Sequence, residues 1–293
     1  MKKTAIVTGG TSNQYPAMAV LALNIADKCP NIADELVIFY DDIPLSQQKL
    51  INSIFPTRFI QYESPFKHTD NFSDEILHYF SPFVFCKYEC FRLLDEYQTV
   101  IWTDYDVLIT QDISDIKNKD KFDTKFISTM MLGGKINNKV FLDKNCLEDI
   151  YTFDLFKPAV SCPLFVLFDS LKNYKEIHDE CIRLTERYSS ALVLPEEAVL
   201  SIIFQQKKIC YDILDANKYC TFPKDIDKNK EITSIIHAVG QPKFWNGLYN
   251  EQWEHYYNQW LEMGGAKHLD RYTKLERLIL RFKRKIKKIF KKN

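Results

Sequence analysis

The sequence predicts an α/β fold: a mixed, mainly parallel sheet flanked by helices, followed by a basic amphipathic helix at the C-terminus. Three observations predict it. The first 60 residues alternate short β-branched runs with helical stretches, the rhythm of parallel strands joined by crossover helices. A composition of 46% hydrophobic and 14% aromatic over 293 residues is enough for one large core, or one core plus a small appendage. The last 23 residues break from that composition altogether.

In chain order, residues 4–8 read as a first strand and Thr8-Gly9-Gly10 as the turn at its carboxyl end. Residues 16–26 read as a helix, 35–40 as a second strand, 46–54 as a helix and 58–62 as a short third strand. A helix over residues 82–96 leads into Thr99-Val100-Ile101-Trp102, a β-branched and aromatic run expected to be a buried strand. Further strands are expected at 125–130, 164–168, 209–214 and 234–239, with helices at 171–188, 196–205 and 251–263. Neither a repeat nor a low-complexity linker precedes the tail, so the domain division falls at 1–264 and 265–293.

Open α/β sheets bind ligands at the carboxyl ends of their strands. The Thr8-Gly9-Gly10 turn, the pair in Thr103-Asp104-Tyr105-Asp106, and His237 all fall at or just inside such ends. Two carboxylates spaced i, i+2 where a strand ends can direct their oxygens into one small volume. Burying them calls for compensation, which a hard divalent cation supplies. The bland alternative is a solvated turn, and Asp225-Ile226-Asp227, in a Lys-rich stretch with no apolar strand before it, is read that way. The first pair differs in having apolar sequence on both sides.

A second signal is His237-Ala238-Val239-Gly240-Gln241-Pro242-Lys243-Phe244-Trp245. A histidine at a strand end offers an imidazole ligand, shifting preference from Mg²⁺ toward Mn²⁺. Gly240 lets backbone approach a phosphate, and Lys243 can neutralise its charge. In isolation, such a histidine is more often a satisfied core residue. His68, His78, His178, His255 and His268 lack a comparable context and read as structural or surface residues.

Together the two stretches resemble glycosyltransferase family 8, nucleotide-sugar enzymes of the GT-A fold, over roughly residues 1–260. Those proteins carry Asp-x-Asp after an apolar strand and His-x-x-Gly-x-x-Lys-Pro-Trp near the C-terminal end. Here the latter is His237, Gly240, Lys243 and Trp245, with Phe244 in place of Pro. Lys87 stands where the family usually has an Arg ahead of its Asp-x-Asp. The resemblance implies that Asp104, Asp106 and His237 bind Mn²⁺ (or Mg²⁺), which bridges the diphosphate of a UDP-sugar. It implies a donor site of Thr8, Gly9, Tyr15, Lys87, Asp104, Tyr105, Gly240 and Lys243, and transfer of a hexose with retention.

Several positions depart from the family pattern. Its Asp and Asn-Tyr in the first strand's loop, which hold uracil and ribose, correspond to a stretch that has Tyr15 but no acidic residue. Asn-x-Gly appears as Ser161-Cys162-Pro163, and Asp-Gln-Asp as Pro195-Glu196-Glu197. Glu196 and Glu197 are thereby the candidate catalytic carboxylates, Glu196 as nucleophile or as stabiliser of oxocarbenium charge. The competing reading is a helix opening, for which Pro-Glu-Glu is equally suited.

Ala5-Ile6-Val7-Thr8-Gly9-Gly10-Thr11-Ser12 also resembles the start of a short-chain dehydrogenase. That fingerprint needs further glycines where Asn13, Gln14 and Tyr15 stand, and the chain lacks a Tyr-x-x-x-Lys pair. A non-enzymatic alternative is a nucleotide-sugar-binding or partner-docking protein of the same fold.

Eight cysteines without paired zinc-finger spacing point to reduced thiols in a cytosolic protein. Met1-Lys2-Lys3 resembles the start of a signal peptide, but Gly9-Gly10 ends the apolar run too early. The net charge of zero conceals an asymmetry. Residues 271–293 hold eleven bases and one acid, a net of +10 against −10 for the rest. Leu275, Leu278, Ile279, Phe282, Ile286, Ile289 and Phe290 recur at 3–4 residue spacing, with Lys and Arg between them. Such a helix lies in an anionic membrane interface. The alternatives are packing of the stripe on the catalytic domain and, less suited to it, nucleic-acid binding. The overall expectation is a glycosyltransferase peripheral on the inner face of the cytoplasmic membrane, acting on a glycan or glycolipid precursor (lipopolysaccharide or capsule), with no nucleic-acid partner.

Overall fold

The computed structural model describes residues 2–66, 71–73, 76–124, 127–136, 142–147 and 153–270. The expected tail helix and His68 lie outside them.

The N-terminal half builds the parallel sheet that the alternating pattern predicts. β1 (Lys2–Gly10), α1 (Tyr15–Lys28), β2 (Glu35–Tyr40), α2 (Leu45–Ile54) and β3 (Thr57–Gln61) follow in order. β1 pairs in parallel with β2 on one side and with β4 (Tyr97–Thr103) on the other. β4 is central and buried at every residue but Gln98, which explains why its sequence is a continuous apolar run rather than an alternation. β1 extends to Gly10, two residues beyond the expected strand end at residue 8, and its position 9 admits only glycine: a Cβ on Gly9 would lie 2.8 Å from Cys86 Sγ and 3.0 Å from Phe39 Cβ.

Between β3 and β4 the expected single helix is a composite. It is 3₁₀ over Pro82–Tyr88, α over the four residues of α3 (Glu89–Arg92), and 3₁₀ again over Leu93–Asp95. Phe83, Phe85, Tyr88 and Phe91 are all buried on this segment. Aromatic side chains are mediocre helix formers, and the tighter winding serves the core instead: Phe85 sits 4.7 Å from Phe66 and 5.7 Å from Tyr88, centroid to centroid.

The C-terminal half completes the sheet around one reversed strand. β5 (Val107–Ile109) leaves the main sheet, then β6 (Ile127–Lys135) and β7 (Pro158–Phe168) join it. α4 (Tyr174–Arg187) and α5 (Pro195–Gln206) precede β8 (Asp212–Leu214). The spatial order is β3-β2-β1-β4-β7-β6-β8, with β7 antiparallel to both neighbours and every other pairing parallel. Two short helices, α6 (Ala216–Tyr219) and α7 (Ile226–Asn229), lead to β9 (Ile235–His237). β9 pairs with β5 in a separate two-stranded ladder, and α8 (Glu251–Glu262) then packs on α1.

Cys29, Cys86, Cys90, Cys162, Cys181, Cys210 and Cys220 are free thiols. Cys86 and Cys90 are buried, and burial pushes both thiols well above their ordinary range. No described helix is long and apolar enough to cross a membrane.

Candidate active site

The β5–β9 ladder assembles the site. Its antiparallel register sets His237 opposite Val107, one residue past Asp106, and the Ala238 N–H donates to the Asp106 carbonyl at 2.9 Å. On the other side, the Asp104 N–H donates to the Pro163 carbonyl of β7 at 2.9 Å. The turn carrying both aspartates is therefore clamped between two strands far away in sequence.

His237 Nε2 lies 3.1 Å from Asp106 Oδ1 and 3.7 Å from Asp104 Oδ2. The three residues each offer a ligand atom, all within 4.8 Å of one another. Nδ1 of His237 faces Cys220 Sγ at 3.3 Å, which orients the ring with Nε2 toward the carboxylates. Two hard oxygens and one imidazole nitrogen aimed at a common point suit a divalent ion, so these residues fit the metal that the sequence implied.

Electrostatics favour an ionised Asp106. Burial alone would raise Asp106, but His237 and Lys243 outweigh it and hold the carboxyl well below the usual range. Burial works against the His237 imidazolium, yet the Asp106 carboxylate raises it to about 10. Lys243 Nζ donates to Asp106 Oδ2 and, at 2.8 Å, to the Ala238 carbonyl. Gly240, on the loop between them, adopts a left-handed φ of 70° that favours glycine.

A second acidic group lies beside the first. Lys87 Nζ bridges Asp104 Oδ1 at 3.1 Å and Glu196 Oε1 at 2.8 Å. Burial disfavours the ammonium, but Asp104 and Glu196 reverse the effect and raise it well above its ordinary value. Trp102 Nε1 donates to the same Asp104 oxygen at 2.9 Å. Glu197, next to Glu196 at the start of α5, points to β7: its Oε1 accepts from Ser161 Oγ and the Cys162 N–H, both at 3.0 Å. Burial first, and the Glu196 charge second, raise Glu197 to about 7.

These groups line one cavity of about 650 Å³. Of the residues singled out from the sequence, Gly9, Lys87, Asp104, Tyr105, Asp106, Glu196, Glu197, His237, Gly240 and Lys243 all line it. Thr8 and Tyr15 do not. Because β1 continues to Gly10, Thr8 is fully buried inside the sheet, and Tyr15 is the first residue of α1. Trp245 also lines the cavity, buried and stacked on His268 with centroids 4.8 Å apart. Sequence reasoning missed Trp102 and Cys220 as supports, since nothing in their local patterns distinguishes them from core residues; Ser161 and Cys162 it located only as the counterpart of Asn-x-Gly. It also missed Asn13, Gln14 and Asp270, which line the cavity.

Fold and site together define a glycosyltransferase of the GT-A type. The model of glycosyl transferase family 8 matches residues 5–140, a little under half of the chain. Among solved structures, the galactosyltransferase LgtC in complex with donor and acceptor sugar analogs superposes with a TM-score of 0.66 at 11% identity, covering 88% of this chain and 99% of LgtC. The bifunctional glycosyltransferase WbbM gives 0.65 at 10% identity, covering 90% of this chain and 51% of WbbM, so the chain spans about half of that relative. GlyE of Streptococcus pneumoniae TIGR4 gives 0.54 at 14% identity, covering 91% of this chain and 66% of GlyE. These likenesses establish the fold that the structures share. No curated protein sequence matches the chain.

Proposed function

We propose that the protein transfers a hexose from a UDP-sugar to a glycan or glycolipid acceptor, with retention and with Mn²⁺ or Mg²⁺ as cofactor. The observation that carries this reading is the convergence of Asp104, Asp106 and His237 beside Lys243, with the Lys87–Glu196 pair adjoining Asp104. The ion held by the three ligands would supply charge neutralisation for a diphosphate leaving group. Lys243 binds the same diphosphate, leaving Asp106 to do so, and places a fixed positive charge where negative charge develops. Lys87 pairs with Glu196 and holds its carboxylate beside the sugar, to meet the positive charge that grows on the anomeric carbon. Glu197, held on β7, fixes the start of α5 and so the position of Glu196. The departing phosphate oxygen can take the acceptor proton, so a separate protein base is not required.

Mn²⁺-dependent hydrolysis of UDP-sugars compares wild type with Asp106→Ala. We expect turnover to fall about 100-fold or more and its Mn²⁺ dependence to disappear, since metal stabilisation is worth several kcal/mol. Equal activity in both proteins would refute the metal assignment.

We further propose that residues 265–293 form an appendage to the 1–264 catalytic domain, and that its basic stretch 271–293 binds anionic membrane. This would keep the enzyme at the inner face of the cytoplasmic membrane, near a lipopolysaccharide or capsule precursor. Attraction of about 1 kcal/mol per basic residue supports a strong but salt-sensitive attachment. Removal of 271–293 should abolish sedimentation with anionic vesicles while sparing donor hydrolysis; unchanged sedimentation would sink the anchor.

A further inference from the structure

Glu197 stands at the head of α5, only 8% exposed, and its two oxygens have different surroundings. Oε1 accepts twice from β7, from Ser161 Oγ and from the Cys162 N–H. Oε2 has no hydrogen-bond partner among the described residues, and it is the oxygen left to face the cavity that Glu197 lines. No described Lys, Arg or His pairs with this carboxyl, and the Lys87 ammonium is taken up by Asp104 and Glu196.

A carboxyl so placed holds its proton. Removing a charge from water is costly unless a cation meets it. Glu196 on the same helix adds negative charge, Lys87 on the 3₁₀ segment opposes it from a distance, and the Cys162 thiol on β7 is pushed up by burial. α4, which also packs on α5, buries Cys181 and His178, and His178 is turned to Glu89 and Asp179. Burial and Glu196 outweigh Lys87 and the two neutral donors, which is why Glu197 is lifted to about 7. The bonding pattern then fixes where the proton sits. Oε1 already accepts twice, so the acid carries its proton on Oε2, as a donor turned to the cavity.

That donor lies on the sugar side of the metal group. Ser161 and Cys162 precede Pro163, whose carbonyl accepts the Asp104 N–H, and Glu196 is joined to Asp104 through Lys87. A sugar linked to a diphosphate at Asp104, Asp106 and His237 therefore reaches the head of α5.

We propose that Glu197 binds the transferred sugar as an uncharged acid, its Oε2–H donating to a sugar hydroxyl oxygen, so that sugar binding takes up a proton whenever the free enzyme has lost it. The inference rests on the nucleotide-sugar reading above. In alkaline solution free Glu197 is a carboxylate; one proton enters from solvent for each sugar bound, and none is released. A sugar over Oε2 displaces the water that solvates the charged form, which favours the acid further. A carboxylate that instead accepted from a sugar hydroxyl would be stabilised by it, and binding would release a proton. The sign of the proton change separates the two.

Calorimetric titration of the full chain with UDP, UDP-glucose and UDP-galactose in Mn²⁺, repeated in buffers of different ionisation enthalpy, counts those protons. At about pH 8.5 wild type should take up close to one proton with whichever UDP-sugar binds more tightly, and none with UDP. Its preference for that UDP-sugar over UDP should weaken roughly tenfold or more between about pH 6 and about pH 8.5. Glu197→Gln, whose amide nitrogen donates at every pH, should keep its preference across that range and take up no proton. The wild-type count stands whether or not the variant folds. Proton release, no proton change, an uptake that survives in Glu197→Gln, or binding of UDP alone overturns the assignment and leaves nucleotide binding intact. Failure of UDP and both UDP-sugars to bind overturns the two together.

Discussion

Two pairs of carboxylates line the same cavity, and they are held in opposite ways. Asp104 and Asp106 sit on a turn clamped by β7 and β9 and face His237, Lys243 and Lys87, three groups able to carry positive charge. Glu196 and Glu197 open a helix and share only Lys87, which pairs with Glu196; Glu197 is met by neutral donors, a hydroxyl and a backbone N–H. Asp106 is accordingly held well below the ordinary carboxylate range, whereas Glu197 is lifted to about 7. Asp106 and Glu197 are alike in burial. The cations in contact decide the contrast: two of them hold Asp106 ionised, while Glu197, met by neutral donors, serves as an anchor.

The comparison breaks first at Glu196. Glu196→Gln removes the Lys87-paired member of the second pair and should lower kcat about 100-fold or more, within the range of a group acting directly at the reacting centre. Glu197→Gln keeps the acceptor for Ser161 and Cys162, and its kcat should stay within about tenfold of wild type. The reverse ranking in steady-state transfer assays would assign the reacting carboxylate to Glu197.

A smaller effect sharpens the contrast. Glu197 has a folded-state pKa above its ordinary 4.5, so the native state binds the proton more tightly than the unfolded chain does. Its contribution to stability is therefore full below pH 4.5 and lost as pH rises through about 7. Glu197→Gln stays neutral and should be the more stable protein above pH 7, by about 1–3 kcal/mol, with the advantage vanishing near pH 4.5. Urea unfolding of both proteins across that range measures it, and parallel pH profiles would show that Glu197 is not buried as a neutral acid.

The ranking also explains what was legible beforehand. The Asp104–Asp106 turn could be read because its chemistry departs from its surroundings, acids interrupting an apolar strand, and the His237–Lys243 stretch because a histidine, a glycine and a lysine recur at a set spacing. Lys87 was located only by its distance from Asp104. That it also holds Glu196 required α5 to pack against the 3₁₀ segment. Thr8 and Tyr15 illustrate the limit in the other direction, since the length of β1 is set by pairing with β2 and β4 and moves the loop two residues on.

By itself, the sequence determined the alternation that makes a parallel sheet, the strand that carries the aspartates, and the residue types of the metal group, because periodicity and charge are local properties. Only the tertiary structure decided which acid keeps its charge, and that a segment beyond the last described helix returns to line the cavity with Asp270. Both depend on desolvation and on partners brought together from more than 100 residues apart, and neither leaves a trace in a short window of chain.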